Sequence, residues 1–148
     1  MKKRWLNLTM IAEKLHDVIV SDHPISWRDV AIWLDTEGSA SIYIHHGRNE
    51  SVVHMSQKER EPLLKLCDFV RNQGLHCKVR TAGKTNGMYV LEVRPVLSQA
   101  AFLAAVRPFL MTRNKCESVD RVMLFLKERA KIGRLRKGLI SQISPARN

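Results

Sequence analysis

The 148-residue sequence is short of cysteine, and the few cysteines it has exclude two common kinds of small protein. Cys67, Cys77 and Cys116 are odd in number, widely spaced and without a CxxC pair. This pattern argues against a disulfide framework and against a zinc ribbon, and it predicts reduced thiols inside a cell. His76 beside Cys77 does not change this interpretation, because the distance to Cys67 does not match the spacing of common zinc modules.

Long hydrophobic runs are also missing. No apolar stretch is long enough to cross a bilayer, and the N-terminal sequence MKKRWLNL has no apolar segment followed by a cleavage site. We therefore expect a soluble, untargeted intracellular protein with no membrane partner.

Acidic residues are scarce relative to basic ones. The chain has 25 Lys and Arg against 14 Asp and Glu, a formal net charge of +11, and a pI near 10.1. Such an excess is typical of a protein that binds a polyanion, so nucleic acid is the leading partner. A ribosome-associated or merely basic soluble protein is the alternative on charge alone. With 45% hydrophobic residues, the chain can bury one core, which favours a single main domain.

Hydrophobic periodicity predicts an α+β fold that begins with an amphipathic helix at residues 5–20. The main domain, residues 26–132, should begin with a helix capped by Ser26 and Asp29 and ended by Gly38. Further segments are a hairpin at 39–56 with its turn at 47–50, a helix at 57–72, a hairpin at 76–94, and helices at 99–110 and 117–131. Residues 1–25 form an N-terminal extension and 133–148 a basic tail. Two hairpins with intervening helices predict one antiparallel sheet with helices on one face and the other face free.

Two carboxylates lie at the end of the helix that precedes Gly38. Asp35 and Glu37 are placed where the helix dipole favours cations, so local helix propensity does not explain them. In the purely structural interpretation, Asp35 hydrogen-bonds the chain after the helix and Glu37 is solvated. The strongly basic context favours a functional role instead.

This helix end resembles a known motif. The residues 30–38, VAIWLDTEG, followed by an alternating strand, are similar to the LAGLIDADG motif of homing endonucleases. The resemblance covers about residues 26–126: residues 55–58 resemble the strand-to-helix junction of the family, residues 89–95 its fourth strand, and residues 107–110 with Arg113 and Lys115 its "PFL" block. The family has the αββαββα fold with a saddle-shaped antiparallel sheet. Its third motif position is usually small but is Ile32 here, and Trp33 is bulkier than the usual Leu.

The resemblance implies a site-specific endonuclease that cuts double-stranded DNA at a long pseudo-palindromic site. A single motif copy implies a homodimer, encoded by an intron or intein and located in a prokaryotic cytoplasm or an organelle. The interface is expected to include Val30, Ala31, Trp33 and Leu34. An RNA-binding intron maturase or a DNA-binding regulator that has lost cleavage is the alternative, and RNA is then a further partner. No small-molecule cofactor is expected.

The resemblance also implies a divalent-metal site. Glu37 occupies the acidic position that faces DNA, and it would bind Mg²⁺ or another divalent cation together with the backbone carbonyl of Thr36. Metal ions so placed assist phosphodiester hydrolysis. Asp35 and Gly38 are expected to be structural. The other predicted catalytic residues are Gln57, Arg113 and Lys115: Gln57 would position water, and the two basic residues would lie near the scissile phosphate.

Polar side chains along the two hairpins are candidates for DNA contact, because a two-stranded ribbon fits the major groove. The predicted DNA-binding residues are Ser41, Tyr43, His45, Arg48 and His54 on the first hairpin, and Lys78, Arg80, Lys84, Tyr89 and Arg94 on the second. The sequence leaves open whether Tyr89 or Met88 points at DNA. His45 and His46 should not share a metal ion, because adjacent strand residues face opposite ways. Basic residues at 127–137 either contact phosphate or form a solvated face.

Overall fold

The computed structural model of the protein describes residues 24–83 and 87–143, with side chains described up to residue 133. The helix expected at residues 5–20 lies outside the described residues. In chain order the elements are α1 (Trp27–Glu37), β1 (Gly38–His45), β2 (Arg48–Gln57), α2 (Arg60–Asn72), β3 (Cys77–Thr81), β4 (Tyr89–Val93), α3 (Val96–Val106), a 3₁₀ turn (Arg107–Phe109) and α4 (Arg113–Ile143).

The four strands form one antiparallel sheet in the order β1-β2-β4-β3. Side chains alternate between its two faces, as the period of two in the sequence predicts. Inward residues of the strands, such as Ala40, Val53 and Leu91, join the buried residues of the helices in one hydrophobic core. The predicted α+β fold, an antiparallel sheet with helices on one face, is confirmed.

The first hairpin turns earlier than the sequence suggests. We expected the turn at residues 47–50, whereas β1 and β2 pair as far as His45 opposite Arg48. The two connecting residues, His46 and Gly47, have φ values of 48° and 74°. Positive φ at both positions matches the right-handed twist of the paired strands, so a two-residue turn extends the hairpin.

One face of α1 is part of the core. Val30, Ala31 and Leu34 have no exposed surface and Trp33 is 3% exposed, so these side chains are buried within the chain itself. Their predicted place in a dimer interface is therefore wrong, because they are not accessible to a partner. The hydrophobic face of a helix packs on its own sheet before it can meet another chain.

Several helix boundaries differ from the predicted ones. Gln57 extends β2, where it pairs with Tyr89, so α2 begins only at Arg60. The helix expected at 99–110 ends at Val106 in a 3₁₀ turn, because Pro108 lacks the N–H that the next helical bond needs. The helix expected at 117–131 is longer in the structure, where α4 runs from Arg113 to Ile143.

Within the described residues, no helix has the length and apolarity required to cross a membrane.

The junction between α1 and β1 predicts a strong effect of substituting Gly38. A Cβ atom there would lie 2.8 Å from Cα of Leu34 and 2.9 Å from Cγ of Met55. Since one of these neighbours is backbone, we expect Gly38→Ala to lower the free energy of unfolding by about 1–3 kcal/mol, as overpacking does. Urea denaturation followed by circular dichroism measures the change.

Gly133→Ala is the matched control. Gly133 lies in α4 with open space around it, so alanine should be neutral or stabilise the helix by up to ~1 kcal/mol. Equal stability of Gly38→Ala and the natural protein would contradict the packing described for the α1–β1 junction.

Candidate functional site

Helix α1 leads directly into the sheet and presents its acidic end there. The helix starts at the predicted capping box, in which the carboxylate of Asp29 accepts a hydrogen bond of 2.8 Å from the backbone N–H of Ser26. The last helical residue is Glu37. Gly38 follows with an extended backbone and is the first residue of β1. No basic residue lies in its last turn. The partial negative charge of this helix end must therefore be balanced from elsewhere.

Asp35 supplies the connection to the rest of the molecule. One carboxylate oxygen accepts a 2.8 Å hydrogen bond from the backbone N–H of Met111. The other accepts bonds of 2.9 Å from the hydroxyl and 3.4 Å from the N–H of Thr112. Because α4 begins at Arg113, the carboxylate lies at the positive end of that helix dipole. We expected a structural Asp35 to hydrogen-bond the chain just after its helix, but its partners are more than 70 residues away in sequence.

Lys115 brings a cation to the same place. Its ammonium group, carried by the first turn of α4, donates a hydrogen bond to the carbonyl oxygen of Gly38. Partial burial lowers the pKa of Lys115 from its ordinary value, and the charge of Asp35 opposes part of this shift. The lysine therefore lies beside the α1 terminus with its head group fixed by backbone.

Glu37 is exposed at this end of α1, next to the carbonyl that Lys115 contacts. A carboxylate and the backbone carbonyls of a last helical turn, such as that of Thr36, are oxygen ligands that fit a hard divalent cation. Within the ranges that the structure describes, no three His, Cys, Asp or Glu side chains group closely enough to form a metal site. A cation at Glu37 would therefore be held by this one carboxylate together with other oxygens, such as backbone carbonyls and water.

Gln57 and Arg113, two of the other predicted catalytic residues, bond to residues other than Glu37. The side-chain oxygen of Gln57 accepts a 2.8 Å hydrogen bond from the backbone N–H of Lys58. Arg113 forms a 2.8 Å ion pair with Glu117, one turn further along α4, and its side chain is 88% exposed. An ion pair this exposed contributes little to stability, so the guanidinium can readily exchange partners.

The sheet face opposite the helices carries most of the predicted DNA-binding residues. By strand alternation and pairing it includes Ser41, Tyr43, His45, Arg48, His54, Lys78, Arg80 and, beyond the end of β4, Arg94. A shallow groove of about 310 Å³ crosses it between Tyr43, His54 and Arg94. We call this surface the open face.

Tyr89 is an exception. It has the strand parity of Leu91 and packs partly against the core, so its side chain does not lie on the open face with the other predicted DNA-binding residues. The residue that β4 presents at this point on the open face is Val90, whose partner in β3 is Arg80. Lys84 lies outside the described residues.

An acid that the sequence analysis missed lies in the middle of the open face. Glu92 is 4% exposed and is paired across the sheet with His54 on one side and Lys78 on the other. Its oxygens lie 3.5 Å from Nε of Arg80 and 3.2 Å from Nη2 of Arg94. The alternation of the YVLEV segment places it on this face, and that signal was available in the sequence.

The pKa of His54 depends on its burial and on the charged groups around it. Burial is the main reason that its pKa is lowered from the ordinary value, and Arg80 and Lys115 lower it further, while Glu92 opposes them. A lowered pKa keeps the imidazole neutral at neutral pH. In that state it can both donate and accept a hydrogen bond.

Comparison with solved structures identifies the fold. The homing endonuclease I-CvuI, in complex with its DNA target, matches with a TM-score of 0.54 and 19% sequence identity, over 68% of this chain and 65% of that chain. The LAGLIDADG meganuclease I-AabMI, bound to uncleaved DNA, matches with a TM-score of 0.62 and 14% identity, over 80% of this chain and 42% of that chain. No family model and no curated protein matches the sequence.

The chain therefore has the fold of the LAGLIDADG homing endonucleases. The match spans less than two thirds of the length of either solved protein. At this level of identity the similarity establishes the architecture that the motif resemblance predicted.

The contacts of the two acids predict that they differ in their importance for folding. Hydrogen bonds to a charged group contribute about 1.5–3 kcal/mol, so Asp35→Asn should lower the free energy of unfolding by about 2 kcal/mol. Glu37→Gln is the matched control, and an exposed substitution of this kind should change stability by less than ~0.5 kcal/mol. Urea denaturation of both variants gives the comparison, and equal destabilisation would contradict the roles of the two carboxylates.

Proposed function

We propose that the protein is a site-specific homing endonuclease, which makes a double-strand break by metal-dependent phosphodiester hydrolysis at a long pseudo-palindromic DNA site. The observation that carries this proposal is the exposed Glu37, held at a rigid helix end beside a basic open face. The fold supports it, since both I-CvuI and I-AabMI were solved with DNA.

The proposed enzyme is a homodimer, because one chain presents one such acidic helix end. Arg28, Ile32 and Thr36 follow one another at intervals of four on a side of α1 that the core covers only in part: Arg28 is exposed, Thr36 is half-buried, and Ile32 is half-buried where it packs against the edge of the core. The ring of Phe109, 36% exposed, lies below the guanidinium of Arg28 at 5.5 Å, and Met111 is 52% exposed. We call this side of α1, with Phe109 and Met111 beside it, the outer side of α1. Its apolar side chains Ile32, Phe109 and Met111 would pack against a second copy.

A two-fold axis along the outer side of α1 would bring two Glu37 side chains together. Like charges at close range repel one another, and a divalent cation between them removes the repulsion. Glu37 and the Thr36 carbonyl would hold Mg²⁺, with the remaining oxygens coming from DNA phosphates and water. Mg²⁺ bound there supplies activation of water and stabilisation of charge on the leaving oxygen.

The basic residues at the start of α4 would act on the scissile phosphate. Lys115 is held against the carbonyl of Gly38, so its charge is available at a fixed position for the phosphate oxygens. Arg113 would exchange its exposed partner Glu117 for phosphate, since a guanidinium matches the phosphate geometry. Gln57 would orient water from the end of β2.

Recognition of the target would fall to the open face. Lys78, Arg48 and Arg94 are exposed and carry positive charge, so they suit phosphate or base contacts. Ser41, Tyr43 and His54 add neutral donors and acceptors for base edges in the major groove. A ribbon of two antiparallel strands in each hairpin has the dimensions that this groove admits.

The first test is DNA cleavage. A plasmid carrying the intron-less homing-site region, incubated with protein and Mg²⁺, should be cut at one place, and a chelator should prevent the cut. Glu37→Gln should reduce cleavage at least 100-fold, on the order of the loss of an essential charge-stabilising group, while binding is retained. Gel electrophoresis measures cleavage and a filter assay measures binding.

The outcomes separate the two candidate functions. Tight DNA binding by the natural protein without cleavage under any divalent cation would favour a non-cleaving regulator, and preferential binding to intron RNA would favour a maturase. Full cleavage by Glu37→Gln would contradict the proposed site.

The second test is the oligomeric state. Ile32→Glu would place a buried charge on each side of the proposed interface, so we expect this variant to sediment as a 17.0 kDa monomer while the natural protein sediments at twice that mass. Leu124→Glu is the matched control, because Leu124 is 61% exposed on α4. A natural protein that is monomeric both free and on DNA would overturn the symmetric arrangement.

A further inference from the structure

The open face contains an acid where a DNA-binding surface would be expected to have none. Phosphates repel carboxylates, so an exposed Glu in the middle of such a surface would weaken binding. The carboxylate of Glu92 is not exposed, however: its side chain is 6% exposed, whereas those of Arg80 and Arg94 are 49% and 52% exposed. The acid therefore lies beneath two guanidinium groups that reach the solvent.

The two arginines contact Glu92 with different atoms, and only Arg80 keeps both of its terminal nitrogens clear of the acid. Arg80 faces Glu92 with its Nε, so its two terminal nitrogens remain at the outer end of the side chain. One of them makes only a long contact of 3.4 Å with the carbonyl of Thr81. Two parallel N–H groups at the end of an arginine match the O6 and N7 acceptors of guanine in the major groove.

Arg94 is held differently. It contacts the other oxygen of Glu92 with a terminal nitrogen, Nη2, at 3.2 Å. This removes one nitrogen of its terminal pair, so Arg94 is less suited than Arg80 to a paired contact with a base. A single contact with phosphate or base remains open to it.

We propose that Glu92 is a positioning residue for DNA recognition: it holds Arg80 with its terminal nitrogens directed outward to read guanine, and it does not contact DNA itself. This inference rests on the proposed function. Since both carboxylate oxygens face arginines and the side chain is almost entirely buried, Glu92 has no free acceptor to offer to a base.

The neighbouring histidine supports this arrangement. His54 is paired with Glu92 across the sheet, and the positive charge of Arg80 and the negative charge of Glu92 shift its pKa in opposite directions. The ion pair and the imidazole therefore occupy the same part of the open face. Holding the long side chain of Arg80 in place before DNA arrives also reduces the entropy lost on binding.

The test measures base preference and affinity separately. Natural protein and Glu92→Gln are each bound, without Mg²⁺, to a pool of DNA duplexes with random central sequence, and the selected sequences are read. In the variant we expect the preference for guanine at one position of each half-site to fall about tenfold, as the loss of a well-oriented bidentate contact would give. Because the variant has one negative charge fewer, its affinity for unselected DNA should be equal or higher.

A merely structural role would have the opposite signature. In that case Glu92→Gln would bind all duplexes more weakly with an unchanged base preference, and this result would overturn the inference. Glu50→Gln is the matched control: Glu50 lies on the same face, accepts a 3.0 Å hydrogen bond from Tyr43, and has no arginine ion pair in the described part of the chain. Its guanine preference should equal that of the natural protein.

A second variant covers the case in which Glu92→Gln does not fold. Arg80→Lys keeps the charge but loses the forked donors, so it should lose preference at the same position without a change in salt dependence. Unchanged preference in Arg80→Lys would also overturn the inference. If the natural protein binds no DNA at all, the proposed function itself fails, which distinguishes the two results.

Discussion

The hydrogen bonds between Asp35 and the start of α4 are the interaction on which the candidate site depends. They tie the acidic end of α1 to the residues that lead into α4, and they place the Asp35 carboxylate at the positive end of that helix. The same junction brings Lys115 to the carbonyl of Gly38. The backbone of Glu37 is thereby held in place at the edge of the sheet. Its side chain is exposed, and the contacts that fix this junction are made by Asp35 and Gly38.

The sheet separates the two tasks of the molecule. Its inner face is covered by helices and carries the residues that stabilise the fold, including the buried side of α1. Its open face bears the charged and polar side chains. Strand β4 contributes to both faces: Leu91 and Val93 are core residues, and Glu92 between them lies on the open face. A change in the register of β4 would exchange the two sets of residues.

Local patterns were sufficient for much of the fold. The capping box at Ser26, the period of two after Gly38 and the amphipathic spacing of α2 predicted the elements that the structure contains. Errors arose where a pattern has more than one solution. The apolar residues of α1 suit either a subunit core or a dimer interface, and only packing decides between them. Tyr89 was counted among the DNA-facing residues because only the turn before it was considered, whereas the alternation of β4, with Glu92 outward and Leu91 and Val93 inward, gives it the inward parity.

The sequence by itself determined the kind of elements, their order, the basic character of the protein and the unusual acids at the end of α1. These depend on hydrogen bonding and periodicity over a few residues, which the chain encodes locally. Only the tertiary structure decided what Asp35 bonds to, which side of α1 is free, and that Glu92 lies beneath Arg80 and Arg94. Such contacts join residues far apart in the chain, or fix the direction of side chains, and both depend on how the elements pack.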